Sequence, residues 1–268
     1  MFSGVIQLTP KVVMLVMAIS YVITTFAAEL YLHRSRSHRA ITFHPLMCQA
    51  FRMWIWLTNF GVTAKTWVAV HRKHHAKSDT IDDPHSPVIH GLWKVLSRGT
   101  LLYRKAARDA ELVKTYGVGI TEDWMDTHFY TKHRFRGALL FLVIEVVLFG
   151  MPNGMFIWLF QVSVMPLWGA GFINGVFHRV GYRNTDTKDD SRNFLPIGII
   201  FCGAELHNNH HANPASAKLS VYWWEFDAGW MAIRTMAVLQ LVKINRVAAP
   251  HYAPAGESAI IAGRPGLQ

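Results

Sequence analysis

The chain reads as an all-α membrane protein: about three transmembrane helices, interfacial helices beside them, and a cytoplasmic helical cap carrying a di-metal site. Three observations lead there. Of 268 residues, 51% are apolar and only 16% are Asp, Glu, Lys or Arg, against roughly 25% charged in an ordinary soluble domain. Several apolar runs approach the length of a bilayer core. Histidine is in excess, with 15 residues against 17 acids, and many of them cluster. Abundant apolar residues exclude a disordered chain. Two cysteines, Cys48 and Cys202, exclude a disulfide framework, an all-cysteine zinc site and a four-thiolate iron–sulfur cluster.

The first span covers residues 12–32. It begins VVMLVMAISYVITTFAA after Lys11 and reaches roughly 30 Å at about 1.5 Å per residue. No small-x-small cleavage site follows it, which disfavours a signal peptide. Residues 46–70 are apolar but interrupted by Arg52, Thr58, Asn59, Thr63 and Lys65, so they read as an interfacial helix. Residues 137–151 contain Glu145, whereas 154–177 carry no charge. The turn signal around Pro152 joins them into a helical hairpin, with Glu145 near a protein-lined cavity or paired inside the bundle. Residues 221–243 read as a second interfacial helix. A single membrane-bound domain, 1–248, is followed by a tail, 249–268, whose prolines Pro250, Pro254 and Pro265 suit disorder.

Charge placement gives an orientation. Between Arg34 and Arg136 there are 17 Lys and Arg against 8 Asp and Glu, whereas the hairpin turn has none. The positive-inside rule then puts residues 33–136 and the part after His178 in the cytoplasm. The net +10 lies beside apolar spans with no nucleic-acid motif, so it suits anionic headgroups or the phosphates of a carrier such as coenzyme A.

Three histidine clusters carry the chemistry. They are H-x4-H at His33 and His38, H-x2-H-H at His71, His74 and His75, and H-x2-H-H at His207, His210 and His211. On a helix, i, i+3 and i+4 share a face, so each triad is expected to project in one direction. The i,i+5 pair diverges by roughly 140° on an ideal helix, which predicts some unwinding at the membrane edge. Imidazoles suit Fe, Zn, Cu and Ni. Eight exceed what one ion takes, so two metals are the simplest arithmetic. No H-E-x-x-H occurs, which disfavours a zinc protease of that kind. All three clusters can meet only if 46–70 does not cross the membrane; a full crossing would put the first two on opposite faces.

The boxes and their surroundings resemble the membrane-bound fatty acid desaturases. Val70 to His75, then Asp82-Asp83-Pro84-His85-Ser86-Pro87, and Asn174-Gly175-Val176-Phe177-His178 are similar to the Δ9 acyl-CoA/acyl-lipid branch, and the resemblance covers about 10–247. It implies a diiron centre. It makes His178 a ninth metal ligand and Asn174 the holder of a metal-bound water. The other histidines, His44, His85, His90, His128, His133 and His251, stay outside the ligand set. The chain begins too late for the additional first helix of the four-span animal enzymes. The third box also departs from the common pattern: it is preceded by Gly203-Ala204-Glu205-Leu206 rather than Gly-Glu directly.

The implied reaction is O2-dependent removal of two hydrogens from a saturated acyl chain on CoA or phospholipid, giving a cis double bond, Δ9 by resemblance. The oxidising power must be the metal's, two Fe ions, since no side-chain acid or base activates a methylene. With no fused cytochrome b5-like segment, electrons come from a separate ferredoxin, rubredoxin or cytochrome-type donor. Asp82, Asp83, Asp190 and Glu205 are candidates for orienting the imidazoles. Trp54, Trp56, Trp67, Trp168, Trp223 and Trp224 are candidates for lining an acyl tunnel. Two other readings compete. A hydroxylase or ketolase uses similar boxes, commonly with H-x3-H first, and inserts oxygen. A metal transporter places its ligands near the middle of spans, whereas here every box lies at a span end or beyond.

Overall fold

The computed structural model describes residues 3–6 and 9–248, most of them helical; the expected disordered tail, 249–268, lies outside the described residues. Thr9 accepts from the Val12 N–H and Pro10 opens helix α1, a continuous helix over Pro10–Ser37 of 28 residues. Its last stretch, Ala27–Ser37, is π-helical. Helix α6, Asn153–Val176, has 24 residues and is the second helix long and apolar enough to cross a membrane. The third expected span corresponds to α5, Arg136–Phe149, whose 14 residues cover about 21 Å.

These three helices are apolar outside and polar inside. Met14 on α1 and Leu139 on α5 are 71% and 53% exposed, while Ser20 and Glu145 are each 4% exposed. The buried groups join: Gln161 Nε2 of α6 donates to Ser20 Oγ at 2.9 Å and to Glu145 Oε1 at 3.0 Å. That distribution suits a hydrocarbon surround, where apolar faces meet lipid and polar side chains bond one another across helices.

The expected single helix over 46–70 is instead two, α2 at Pro45–Thr58 and α3 at Ala64–Lys77. Asn59 leaves the helix in extended conformation and Gly61 sits at φ +77°. Thr63 then starts α3 with a reciprocal capping box to Thr66. Helix α4, Leu92–Ala107, crosses α6 where a Cβ on Gly99 would stand 2.0 Å from the Ala170 carbonyl oxygen.

The second expected interfacial helix, 221–243, is helical only in its middle. The Glu225 carboxylate accepts from the N–H groups of Val221 (2.7 Å) and Tyr222 (3.1 Å), which fixes a turn. Asp227 caps helix α8, Ala228–Val238, by accepting from Trp230. Past Gln240, at φ +59°, strand β4 (Val242–Ile244) pairs antiparallel with β1 (Ile41–Phe43), Phe43 facing Val242. Two further residues, Ile197–Gly198 (β2), pair in parallel with Phe226–Asp227 (β3).

One buried ion pair ties this cap to the end of α1. Arg34, 1% exposed, donates to Asp227 Oδ1 at 3.0 Å and Oδ2 at 3.2 Å, and to the carbonyls of Ala217 (2.8 Å) and Cys202 (2.9 Å). Gly203, at φ +95°, makes room, since a Cβ there would lie 2.2 Å from Asp227 Oδ1.

Candidate metal centre

The π-wound end of α1 settles the H-x4-H spacing. A π turn closes i→i+5 hydrogen bonds, and the His38 N–H donates to the His33 carbonyl at 3.2 Å. The pair that would diverge on an α-helix thus stacks one above the other. The second box ends α3, the third forms the short helix α7 at His207–Ala212, and His178 lies just past α6.

These elements bring nine histidines into two groups, each with its donor atoms within 4.8 Å of one another. The first holds His33, His38, His71, His75 and His210; the second holds His74, His178, His207 and His211. The expectation that each H-x2-H-H triad points one way is corrected. At about 100° per residue, i+4 returns near i while i+3 falls to the other side. So His71 and His75 serve one group and His74 the other. His207 and His211 likewise part from His210.

The donor set fits metal ions. His210 Nε2 lies 2.8 Å from His33 Nε2 and 3.0 Å from His75 Nε2, and His38 and His71 approach to 2.8 Å through the same atoms. In the second group, His178 and His207 meet at 3.1 Å. An ion about 2.1 Å from two imidazole nitrogens at right angles separates them by about 3.0 Å. A single proton cannot serve three converging nitrogens, whereas an ion can. Moreover, the Nε2 atoms of His74 and His211 are buried with no hydrogen-bond partner among the described residues. Burial, reinforced by neighbouring imidazoles, pushes His71, His75, His207 and His210 well below the ordinary histidine range, which keeps them in the neutral, ligating form.

Carboxylates hold the far side of four rings. Glu29 accepts from His33 Nδ1 at 2.8 Å, Asp79 from His178 at 2.8 Å, Asp83 from His74 at 3.0 Å and Asp189 from His211 at 2.8 Å. Burial alone would raise Asp79, Asp83 and Asp189, but the bonds and charge of nearby histidines, together with hydroxyl and backbone donors, outweigh it and all three are lowered. Of the four acids expected in this role, only Asp83 fills it. Asp82 is exposed and faces Lys77, Asp190 faces Arg179, and Glu205 accepts from the N–H groups of Phe201 and Gly203. Glu29 carried a readable signal, an i,i+4 spacing to His33; Asp79 and Asp189 sit in loops with none.

Both groups border a cavity of about 130 Å³ between α1 and α6, reached by His33, His71 and His207 and lined elsewhere mostly by apolar side chains such as Val164, with Glu29, Asn59 and Thr100 among the polar ones. Asn174 is on its wall, as are Trp67 and Trp168. The other tunnel tryptophans are elsewhere: Trp54 donates to Thr24, Trp56 borders a separate small cavity, Trp223 is exposed and Trp224 stacks on Tyr222. His85, set aside in the sequence, is on the cavity wall and stacks against His74.

Comparison with known proteins agrees with this geometry. The family model for fatty acid desaturases matches residues 10–248. An sn-1 stearoyl-lipid 9-desaturase of Synechocystis sp. is 31% identical over 226 residues, covering 83% of this chain and 68% of its own. An sn-2 palmitoyl-lipid 9-desaturase of Nostoc sp. is 32% identical over 182 residues, 66% of this chain and 61% of its own. An acyl-CoA 5-desaturase of Anemone leveillei is 30% identical over 219 residues, 81% and 66% respectively. The chain thus spans about two thirds of the length of these relatives.

Proposed function

Because this chain belongs to the fatty acid desaturase family, we propose that it is an O2-dependent fatty acyl desaturase that places a cis double bond, at Δ9, in a saturated chain carried by CoA or phospholipid. The observation that carries the reading is the convergence of nine imidazoles, as five and four, at one end of an apolar cavity. Two of the three relatives named above are 9-desaturases of acyl lipids, and the third acts on acyl-CoA at position 5; they support the substrate class.

In this reading His33, His38, His71, His75 and His210 hold one iron, and His74, His178, His207 and His211 hold the other, with Asn174 binding a water on the second. Bound iron supplies the power to take hydrogen from an unactivated methylene. The chain's own residues do the rest. Glu29, Asp79, Asp83 and Asp189 fix the Nδ1–H tautomer of their histidines and aim each Nε2 inward. The cavity walls, Trp67 and Trp168 among them, hold the acyl chain in a narrow, bent tunnel, exclude water and set which carbon pair lies beside the metals.

The protein is integral to the membrane in this proposal, with spans at about 12–32, 137–151 and 154–177. The metal-bearing cap lies on the cytoplasmic side, by the excess of Lys and Arg over 33–136. Reducing equivalents come from a separate ferredoxin, rubredoxin or cytochrome-type protein. Expression in a host lacking unsaturated fatty acids tests the reading by lipid mass analysis. The wild-type chain restores monounsaturated acyl chains, two mass units lighter, and His74→Ala and His210→Ala do not. A product sixteen units heavier would make the chain a hydroxylase, and full activity without His74 would overturn the diiron assignment.

A further inference from the structure

His85 is 4% exposed, and neither of its ring nitrogens has a hydrogen-bond partner among the described residues. Leaving both unmet in a buried site is costly, so a polar occupant is expected beside the ring. The His85 backbone is firmly held. The Asp83 carboxylate accepts from the His85 backbone N–H at 3.0 Å, from the Asp79 N–H at 2.9 Å and from His74 Nδ1 at 3.0 Å. Ser86 donates to Asp79 at 2.6 Å and accepts from Val88 at 3.0 Å. His85 is thus fixed by the same carboxylate that orients His74.

Its position says what the occupant is. The ring stacks on His74 with centroids 4.6 Å apart and planes 30° from parallel, and it shares the cavity wall with Asn174 and His207. His85, His74 and Asp83 offer donor atoms within 4.8 Å of one another, a trio that could itself take an ion, but His85 does not group with His178, His207 and His211. It stands beside the four-imidazole group rather than in it. That group has one imidazole fewer than its neighbour, so an ion held there would have one fewer protein donor.

We propose that His85 is a hydrogen-bond partner of the small non-protein ligand bound at the four-imidazole group, which it shares with Asn174. The ligand class is a small oxygen or nitrogen species: water, dioxygen or a compact anion. The inference rests on the diiron reading and adds a residue that touches what the metal binds.

The test uses the full-length, iron-loaded oxidised protein and azide as the small anion, followed by its charge-transfer absorption. His85→Phe keeps the stacked ring and removes both nitrogens. It should retain both irons and bind azide about tenfold more weakly, the loss of roughly one hydrogen bond. His85→Gln, which restores a donor, should recover most of the affinity, and His85→Met should not; this pair decides the matter if the Phe variant fails to fold. Unchanged azide affinity in both His85→Phe and His85→Met overturns the proposal. So does iron loss from His85→Phe that His85→Gln prevents, since His85 would then be a metal ligand. A wild-type protein that takes up no iron sinks the diiron reading itself, and is distinguishable from either result.

Discussion

Glu29 Oε2 lies 2.8 Å from His33 Nδ1, one turn earlier on the same helix and in an apolar stretch where a carboxylate is expensive. It is the single carboxylate bonded to an imidazole of the five-histidine group among the described residues, whereas the four-histidine group has three, Asp79, Asp83 and Asp189. Removing such a partner typically lowers metal affinity 10–100-fold. Glu29→Gln should therefore weaken one metal of the pair by about that factor, while Asp189→Asn weakens the other. Chelator competition followed by metal analysis checks this. Loss of both ions in parallel from each variant would refute the assignment of separate groups.

A second expectation concerns the tie between the end of α1 and the cap. Arg34 and Asp227 are fully enclosed, and the guanidinium also serves two backbone carbonyls. Breaking a buried pair by removing one partner costs about 3–5 kcal/mol, because the other charge is left uncompensated. Asp227→Asn and Arg34→Met should each lower the thermal midpoint in detergent sharply. The double variant Arg34→Met/Asp227→Asn should lose less than the two single losses added together. Additive losses would mean that the two side chains act independently.

Eight of the nine imidazoles were legible because H-x4-H and two H-x2-H-H boxes sit beside apolar runs, a pattern that survives without knowledge of tertiary contacts; His178 was legible only through the family resemblance of Asn174 to His178. What escaped depended on direction. Asp82 and Asp83 are neighbours, yet one faces Lys77 in solvent and the other His74 in the interior; loop backbone decides this and leaves no periodic trace. The H-x4-H spacing signalled a departure from α geometry, and π winding is how the chain meets it. Residues 46–70 misled because average hydropathy hides a break that one extended Asn59 and one left-handed Gly61 suffice to make. In 221–243, Glu225 and Asp227 are spent on capping turns and on Arg34, which breaks the expected continuous helix.

The crossing of α4 over α6 gives a third prediction. A Cβ at Gly99 would stand 2.0 Å from the backbone oxygen of Ala170, whereas one at Gly169 meets nothing within 4 Å. Helix α4 also supplies Thr100 and Tyr103 to the cavity wall. Gly99→Ala should thus push α4 away, cost about 1–3 kcal/mol as overpacking does, and loosen the acyl site. Gly169→Ala should match wild type in thermal midpoint. Equal behaviour of the two variants would show that α4 does not rest on α6 at this point.

Metal removal tests the centre as a whole. Without ions, the buried Nε2 atoms of His74 and His211 have no partner among the described residues, and those of His33, His75 and His210 crowd together. An ion that binds only the folded chain adds stability of RT ln(1 + [L]/Kd), about 2.7 kcal/mol at a hundredfold excess over Kd. Chelation should therefore lower the thermal midpoint, and Fe2+ or Co2+ should restore it because both accept imidazole. Mg2+, which prefers oxygen donors, should not. The recovery should be smaller in His210→Ala, whose Nε2 joins two rings of one group, and in His74→Ala, which removes a donor from the other. A midpoint indifferent to chelator, or restored equally by Mg2+, would mean that the histidines pack together without holding metal.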